Sequence, residues 1–346
     1  MKKKVIIAVL LIIIAAIIGV FALYSHYNSA MDSSNETMID IRIEEGATTT
    51  SIASDLYENK LISSEFGFKL ISKLKGYDGK YQVGLYELNQ SMTATDIMEK
   101  LSSGAVKATQ FTIVEGTFVK NIAAQAAELG LCSKKEFMKE VKSGKFDYDF
   151  LKDAPKGETR LEGFLLPETY SIPDGASAHE IIDIILSNFN EQVGHKYDKQ
   201  AKKLGLSFYE LLTVASIIER EAVFEEDDAN VSSVIYNRLK DGMALQMDSS
   251  LSYIYNDNTE SHSLKDLEVD NPYNTYKYKG LPPGPISNPG IAAIEAAANP
   301  ADTDYLFFVN SKKLDGSLAF AKTDSGFMKL FNEYSEALAK QEKEEN

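Results

Sequence analysis

The chain has 346 residues and a formal net charge of −15, from 36 Lys and Arg against 51 Asp and Glu. That balance argues against a nucleic-acid binder and against a chain that lies on anionic lipid, since both reward basic patches. A single cysteine, Cys132, excludes an internal disulfide framework, and the scattered His26, His179, His195 and His262 have no metal-ligand spacing, so no metal and no cofactor are expected.

Lys2, Lys3 and Lys4 precede an uncharged apolar run from Val5 to Tyr24, long enough to cross a bilayer as one helix. A cleaved signal peptide would have a shorter apolar core and a small-residue cleavage site after it. The lysines orient residues 1–4 to the cytoplasm and the rest of the chain outward, as a single-pass membrane protein. Residues 25–37 are polar and rich in Ser and Asn, and are expected to be a tether holding the folded part off the membrane.

Next comes an internal repeat. Ile41 to Ser63 (IRIEEGATTTSIASDLYENKLIS) aligns with Phe111 to Ser133 (FTIVEGTFVKNIAAQAAELGLCS) at an offset of seventy, matching Ile43/Ile113, Glu45/Glu115, Gly46/Gly116, Ile52/Ile122 and Ala53/Ala123. Each copy reads as a short strand, a glycine turn and a helix. With a helix over Phe66 to Leu74, a strand over Tyr81 to Leu88 and a capped helix over Thr93 to Leu101, residues 38–106 form one small α+β domain. Ser72 and Lys75 fit the serine–lysine pattern of penicillin-binding enzymes, but they sit on an amphipathic helix face and are read as coincidence.

Residues 107–340 form a second, larger domain, mixed and mainly helical with a small β-sheet. Helices are expected over Lys134 to Val141, Ala178 to Gln192, Ala229 to Leu239, Ile291 to Ala298 and Phe327 to Lys340. A β-hairpin brackets Asp315-Gly316, and residues 341–346 make a solvated tail. Its centre is Leu206 to Ala222 (LSFYELLTVASIIEREA). Ser207 and Glu210 make a capping box, and apolar side chains cover most of the helix, leaving a thin stripe of Thr213, Ser216 and Arg220. On the wheel Glu221 falls over Val214, between Ile217 and Ile218, whereas Glu219 falls near Leu212, Ala215 and Ser216. A carboxyl aimed along an apolar face holds its proton to higher pH, which is what a general acid needs.

Downstream, polar and aromatic residues cluster in Val234 to Tyr255 and in Asn271 to Gly290 (NPYNTYKYKGLPPGPISNPG), and the second segment concentrates proline, tyrosine and glycine. The second segment reads as a rigid, shaped binding loop, with tyrosine rings to stack on a sugar and asparagine amides and tyrosine hydroxyls to bond it.

Taken together, LEGFLLPETY (Leu161 to Tyr170), ASIIERE (Ala215 to Glu221), YNRLKDGMALQMD (Tyr236 to Asp248), YNTY (Tyr273 to Tyr276) and GLPPGPISNPG (Gly280 to Gly290) resemble, in order and spacing, the endolytic murein transglycosylase or YceG-like family. The resemblance implies a LysM-like first domain and a catalytic second one. It also implies cleavage of the β-1,4 bond between N-acetylmuramic acid and N-acetylglucosamine in nascent peptidoglycan strands, without water, to give 1,6-anhydro ends that terminate polymerisation. One acid/base carboxyl then suffices, because the substrate supplies its own nucleophile.

By motif position that role falls to Glu221, with Glu219 the runner-up. Gln246, Asp248, Asn274 and Tyr276 match positions lining the glycan groove, with Tyr273 and Asn237 beside them. Glu162 is either a second carboxyl in the cleft or a cap or ion-pair partner for a neighbouring element. Arg238 is expected to pair with an acidic neighbour. Leu318 and Phe327 stand where family members commonly carry histidines. The implied partners are peptidoglycan glycan strands, penicillin-binding proteins and glycan polymerases. The alternative from the same residues is a catalytically inactive, membrane-tethered peptidoglycan-binding scaffold.

Overall fold

The computed structural model describes residues 2–44, 46–104, 107–257 and 262–345. Glu45 of the repeat, Val106 at the expected domain end and Asn346 lie outside them, as do the side chains of Lys2, Lys3 and Lys4. The chain divides into two units: Met1–Thr109 with Ser171–Ala176, and Gln110–Tyr170 with Ser177–Asn346.

The first unit runs α1 (Lys2–Asn28), β1 (Ile39–Ile43), α2 (Thr49–Glu58), α3 (Glu65–Lys75), β2 (Gly84–Leu88) and α4 (Ala94–Ser103). β1 and β2 pair antiparallel with Ile41 opposite Tyr86. Alternation along each strand turns Ile41, Ile43, Tyr86 and Leu88 inward onto Ile52, Leu56, Phe68, Ile71, Ile97 and Leu101. Each such side chain contributes about 2 kcal/mol of burial. The helices start where hydroxyls cap them, at Thr48, Ser64 and Thr93. Ser72 is fully buried and its Oγ accepts from Tyr81 Oη at 2.7 Å, a core hydrogen bond with no room for a nucleophile.

Two features differ from expectation near the N-terminus. α1 runs past Tyr24 to Asn28, and Leu10–Asn28 is long and apolar enough to cross a membrane. The expected tether is not free, because its side chains find partners on the first unit. Tyr27 packs on the core, Asn28 Oδ1 accepts from Thr95 N at 2.9 Å, and Asn35 Nδ2 donates to Gln90 Oε1.

The rest of the chain runs β3 (Ala108–Ile113), α5 (Val119–Glu128), α6 (Lys134–Ser143), β4 (Glu168–Pro173), α7 (Ala178–Gln192), α8 (Asp198–Lys203), α9 (Phe208–Glu221), α10 (Glu225–Lys240), α11 (Asp248–Tyr255), α12 (Ile291–Ala298), β5 (Phe307–Asn310), β6 (Leu318–Ala321) and α13 (Asp324–Glu345). β3 pairs with β4, and β5 with β6 antiparallel. The architecture is mixed α+β, with helices packed around α9 and only two-stranded sheets among the described residues. The stretch around Asp248 to Tyr255 is α11: Ser250 and Ser252 bond back to Met247 O and Asp248 O, Ser249 reaches Glu221, and Tyr253 packs against the Phe118 and Tyr273 rings. α13 continues through the expected tail, whose residues 341–344 are exposed.

Candidate active site

α9 is the post on which the site is built. Ser207 N donates to Glu210 Oε2 at 2.8 Å and Glu210 N to Ser207 Oγ at 3.2 Å, so the capping box closes as read. Every residue from Tyr209 to Ile218 except Glu210 is buried. Thr213 and Ser216 of the polar stripe are buried too, with the GLPPGPISNPG segment lying on Ser216, whereas Arg220 at its end is only half-buried. Ile286 N donates to Ser216 Oγ at 2.9 Å, and Ser287 Oγ to Ser216 O at 3.0 Å. Gly284 is required there: a Cβ would run into the Tyr209 hydroxyl.

The two glutamates at the end of α9 part company. Glu219 Oε2 accepts from Gly290 N at 2.9 Å, tying α9 to the start of α12. Burial pushes its carboxyl up to about 7; the Gly290 N–H pulls the other way, and Glu115 and Asp228 add to the rise. Glu221 Oε1 accepts from Ser249 Oγ at 2.6 Å and from Ser249 N at 3.4 Å. Its pKa is raised as well, first by burial and further by Asp248, against the Ser249 donors and Arg220. Both carboxyls therefore hold protons above the ordinary range, and placement separates them. A cleft of about 590 Å³ is lined by Glu221, Arg220, Asp248, Ser249 and Ser252, and on its far side by Phe308, Asn310 and Leu318 of the hairpin. Glu219 does not line it.

Of the other expected site residues, Asp248 lines this cleft, and Tyr276 Oη donates to its Oδ1 at 2.7 Å. Gln246 is exposed at φ +53, with its N–H bonded to Thr275 O. Asn274 is fully buried, its amide donating to Leu267 O and Val269 O and its Oδ1 accepting from Tyr276 N; it shapes the loop that carries Tyr276. Asn237 Nδ2 donates to Thr303 O and Tyr305 O, anchoring the approach to β5. Among the described residues, Arg238 meets no carboxylate at hydrogen-bond distance. Its guanidinium donates to Leu306 O before β5 and to Leu245 O between α10 and α11, and lies over the Phe307 ring, so main-chain carbonyls take up its donors.

Glu162 stands elsewhere. It is 3% exposed, and its Oε1 accepts from Val119 N at 3.0 Å and Asn288 Nδ2 at 3.1 Å, capping α5 from 43 residues away. Burial pushes it up to about 8, against those donors and Tyr253. It opens on a separate pocket of about 190 Å³ with Lys120, Tyr253 and Tyr273, the last two rings 4.9 Å apart. α11 presents Ser249 and Ser252 to the cleft and Tyr253 to this second pocket.

Sequence reasoning passed over Ser249, which holds Glu221, and Asn288, whose Oδ1 accepts from Gly163 N and Leu165 N while its Nδ2 reaches Thr117 O and Glu162. The only signal for either was membership in a polar, turn-rich stretch. Leu318 lines the cleft, whereas Phe327 packs on Phe307 and Phe331. Among the described residues no three His, Cys, Asp or Glu side chains come together as a metal site requires.

Residues 41–333 match the YceG-like family. A Bacillus subtilis protein named endolytic murein transglycosylase is 38% identical over 305 residues, taking in 85% of this chain and 84% of that protein. One of the same name from Streptococcus pneumoniae is 30% identical over 81% of the chain, which spans 55% of that longer relative. The crystal structure of a yceG-like protein from Listeria monocytogenes matches with a TM-score of 0.57 at 32% identity, covering 85% of this chain and 99% of that one. The chain belongs to the YceG-like family.

Proposed function

We propose that this protein is an endolytic lytic transglycosylase that cleaves the β-1,4 bond between N-acetylmuramic acid and N-acetylglucosamine in nascent peptidoglycan, with Glu221 as its acid/base. The observation that carries the assignment is the Glu221 carboxyl itself: raised in pKa by burial, steered by Ser249, and set in the wall of the 590 Å³ cleft. Protonated Glu221 donates to the glycosidic oxygen as the C1–O bond breaks. The resulting carboxylate then takes the proton of the muramyl 6-hydroxyl, whose oxygen bonds C1 and closes the 1,6-anhydro ring. No water is consumed, and the proton that Glu221 gave is restored. The names of the relatives support the reaction class.

Asp248, fixed by Tyr276, faces the same cleft as a substrate-binding group, while Asn274 and Asn237 act by shaping its walls. α1 is read as the membrane span, with residues 1–4 in the cytoplasm and the catalytic unit outside. The first unit is read as LysM-like, resting on a β1–α2–α3–β2 order around one core. Glycan polymerases and penicillin-binding proteins are the expected neighbours, since a strand terminator must act where strands grow.

Mass spectrometry of peptidoglycan incubated with the detergent-solubilised protein tests this. Wild type is expected to generate 1,6-anhydromuramyl ends, Glu221→Gln none, and Glu219→Gln a reduced but measurable yield. Activity retained by Glu221→Gln and abolished in Glu219→Gln would move the acid to Glu219. A folded wild type that binds strands without producing anhydro ends would make the protein a scaffold. Because the acid must start protonated, activity is expected to fall as pH rises through the raised pKa of Glu221.

A further inference from the structure

α3 presents two apolar faces, and the core accounts for only one. Phe68, Ile71 and Ser72 point into the first unit. Phe66, Leu70 and Leu74, four residues apart, form a second stripe that is 65%, 42% and 73% exposed. Lys69 and Lys73 follow the same spacing along one edge of that stripe. A helix facing water has little reason to expose three large apolar side chains in a row beside its lysines, and such a pattern marks an interface.

The surroundings identify what covers it. The stripe forms one wall of an apolar groove of about 730 Å³ whose other wall is α1, through Ile17, Val20, Phe21 and Tyr24. These belong to the segment long and apolar enough to cross a membrane, so the exposed surface of the stripe is continuous with the surface of the span. The two helices are also locked together. Gly67 leaves room for the Tyr27 ring, which a Cβ would meet; the Lys75 ammonium lies 6.0 Å from the Tyr24 ring centre; and Asn28 is bonded to Thr95 of α4. With α1 in the bilayer, α3 has no slack with which to stand away from it.

We propose that α3 rests in the membrane interface, with Phe66, Leu70 and Leu74 among lipid acyl chains that fill the α1–α3 groove and with Lys69 and Lys73 reaching the headgroups. This rests on the reading of α1 as a membrane span. Long lysine stems keep the charge in the headgroup layer while the apolar edge is buried, and Tyr24 and Tyr27 sit where interfacial tyrosines belong. The first unit is then seated on the membrane, and α3 fixes the height at which this unit meets strands emerging there.

The chain contains no tryptophan, so a single introduced one reports its own surroundings. Full-length Phe21→Trp, Leu74→Trp, Phe66→Trp and Leu264→Trp, the last on an exposed loop, are reconstituted in phosphatidylcholine–phosphatidylglycerol vesicles containing lipids brominated along the acyl chain. Phe21→Trp is expected to be strongly quenched, which checks the span by itself. Leu74→Trp and Phe66→Trp are expected to be blue-shifted and quenched severalfold more than Leu264→Trp, most strongly by chains brominated near the headgroup end. Phe21→Trp quenched while both α3 variants emit like Leu264→Trp would place the stripe in water and overturn the proposal. Blue-shifted but unquenched α3 variants would also overturn it, by showing a protein partner or a second copy on the stripe. An unquenched Phe21→Trp would remove the span and the proposal together.

Discussion

The two copies of the repeat fold into the same strand, glycine turn and helix, and they differ in what holds the helix start. In the first, Thr48 caps α2 from within: its Oγ1 accepts from Ser51 N, and Ser51 Oγ accepts from Thr48 N at 3.0 Å. Seventy residues on, the aligned position is Phe118, which has no capping atom. Phe118 spends its side chain on the ring of Tyr253, 5.6 Å away, and on the Arg220 guanidinium, and the Val119 N–H is satisfied by Glu162 instead. The glycine turns differ likewise. A Cβ at Gly46 would meet nothing within 4 Å, whereas one at Gly116 would stand 3.2 Å from Arg220 Cδ, and the Gly116 N–H is bonded to Asn288 O. The first copy is self-sufficient. The second exchanges local closure for contacts that brace α9, and with it Glu221.

This comparison can be broken most forcefully at Glu162. Glu162→Ala leaves the Val119 N–H and the Asn288 amide without their acceptor and opens a cavity, for a cost of about 3 kcal/mol. Hydrogen exchange read by mass spectrometry should show α5 opening faster with α2 unchanged; equal protection in both would sink the remote-cap account. The same carboxyl gives a pH signature. Its pKa rises from 4.5 to about 8 on folding, so the native state holds a proton that the unfolded chain has released. The stability this contributes is complete below about 4.5 and is lost as pH climbs to about 8, at about 1.4 kcal/mol per pH unit in between. Urea unfolding between pH 5 and 8 should show stability falling more steeply in wild type than in Glu162→Gln, the difference being about that slope, since the raised Glu219 and Glu221 carboxyls contribute to both.

Smaller effects sharpen the contrast at the turns. Gly116→Ala combines a left-handed backbone, φ +72, with crowding of Arg220, and is expected to cost about 2 kcal/mol. It should also lower the yield of anhydro ends, since Arg220 lines the cleft. Gly46→Ala, at φ +77 in open space, should cost about 1 kcal/mol and leave activity intact. Thr48→Ala should cost about 1 kcal/mol, confined to α2. Matching losses of activity in the Gly46 and Gly116 variants would show that the second turn has no special tie to the site.

What the sequence determined by itself was whatever is decided within a few residues. The Ser207–Glu210 box set the start of α9, the 3.6-residue period set its buried arc, and the same wheel turned Glu219 and Glu221 to different neighbours. The glycine turns and strand alternation of the repeat were legible for the same reason, since capping, periodicity and left-handed backbone act over one turn or one pleat. Only the tertiary structure decided that Glu219 would be held by Gly290, that Asn274 would be consumed by its own loop, that Arg238 would bind carbonyls, and that Glu162 would cap a helix 43 residues away. Those outcomes depend on which buried donors and acceptors meet across the core, and burial enforces such pairing without leaving a periodic trace in the chain. The exposed stripe of α3 belongs to both accounts: its spacing is written in the sequence, but its continuity with α1 exists only once Tyr27 and Asn28 have docked.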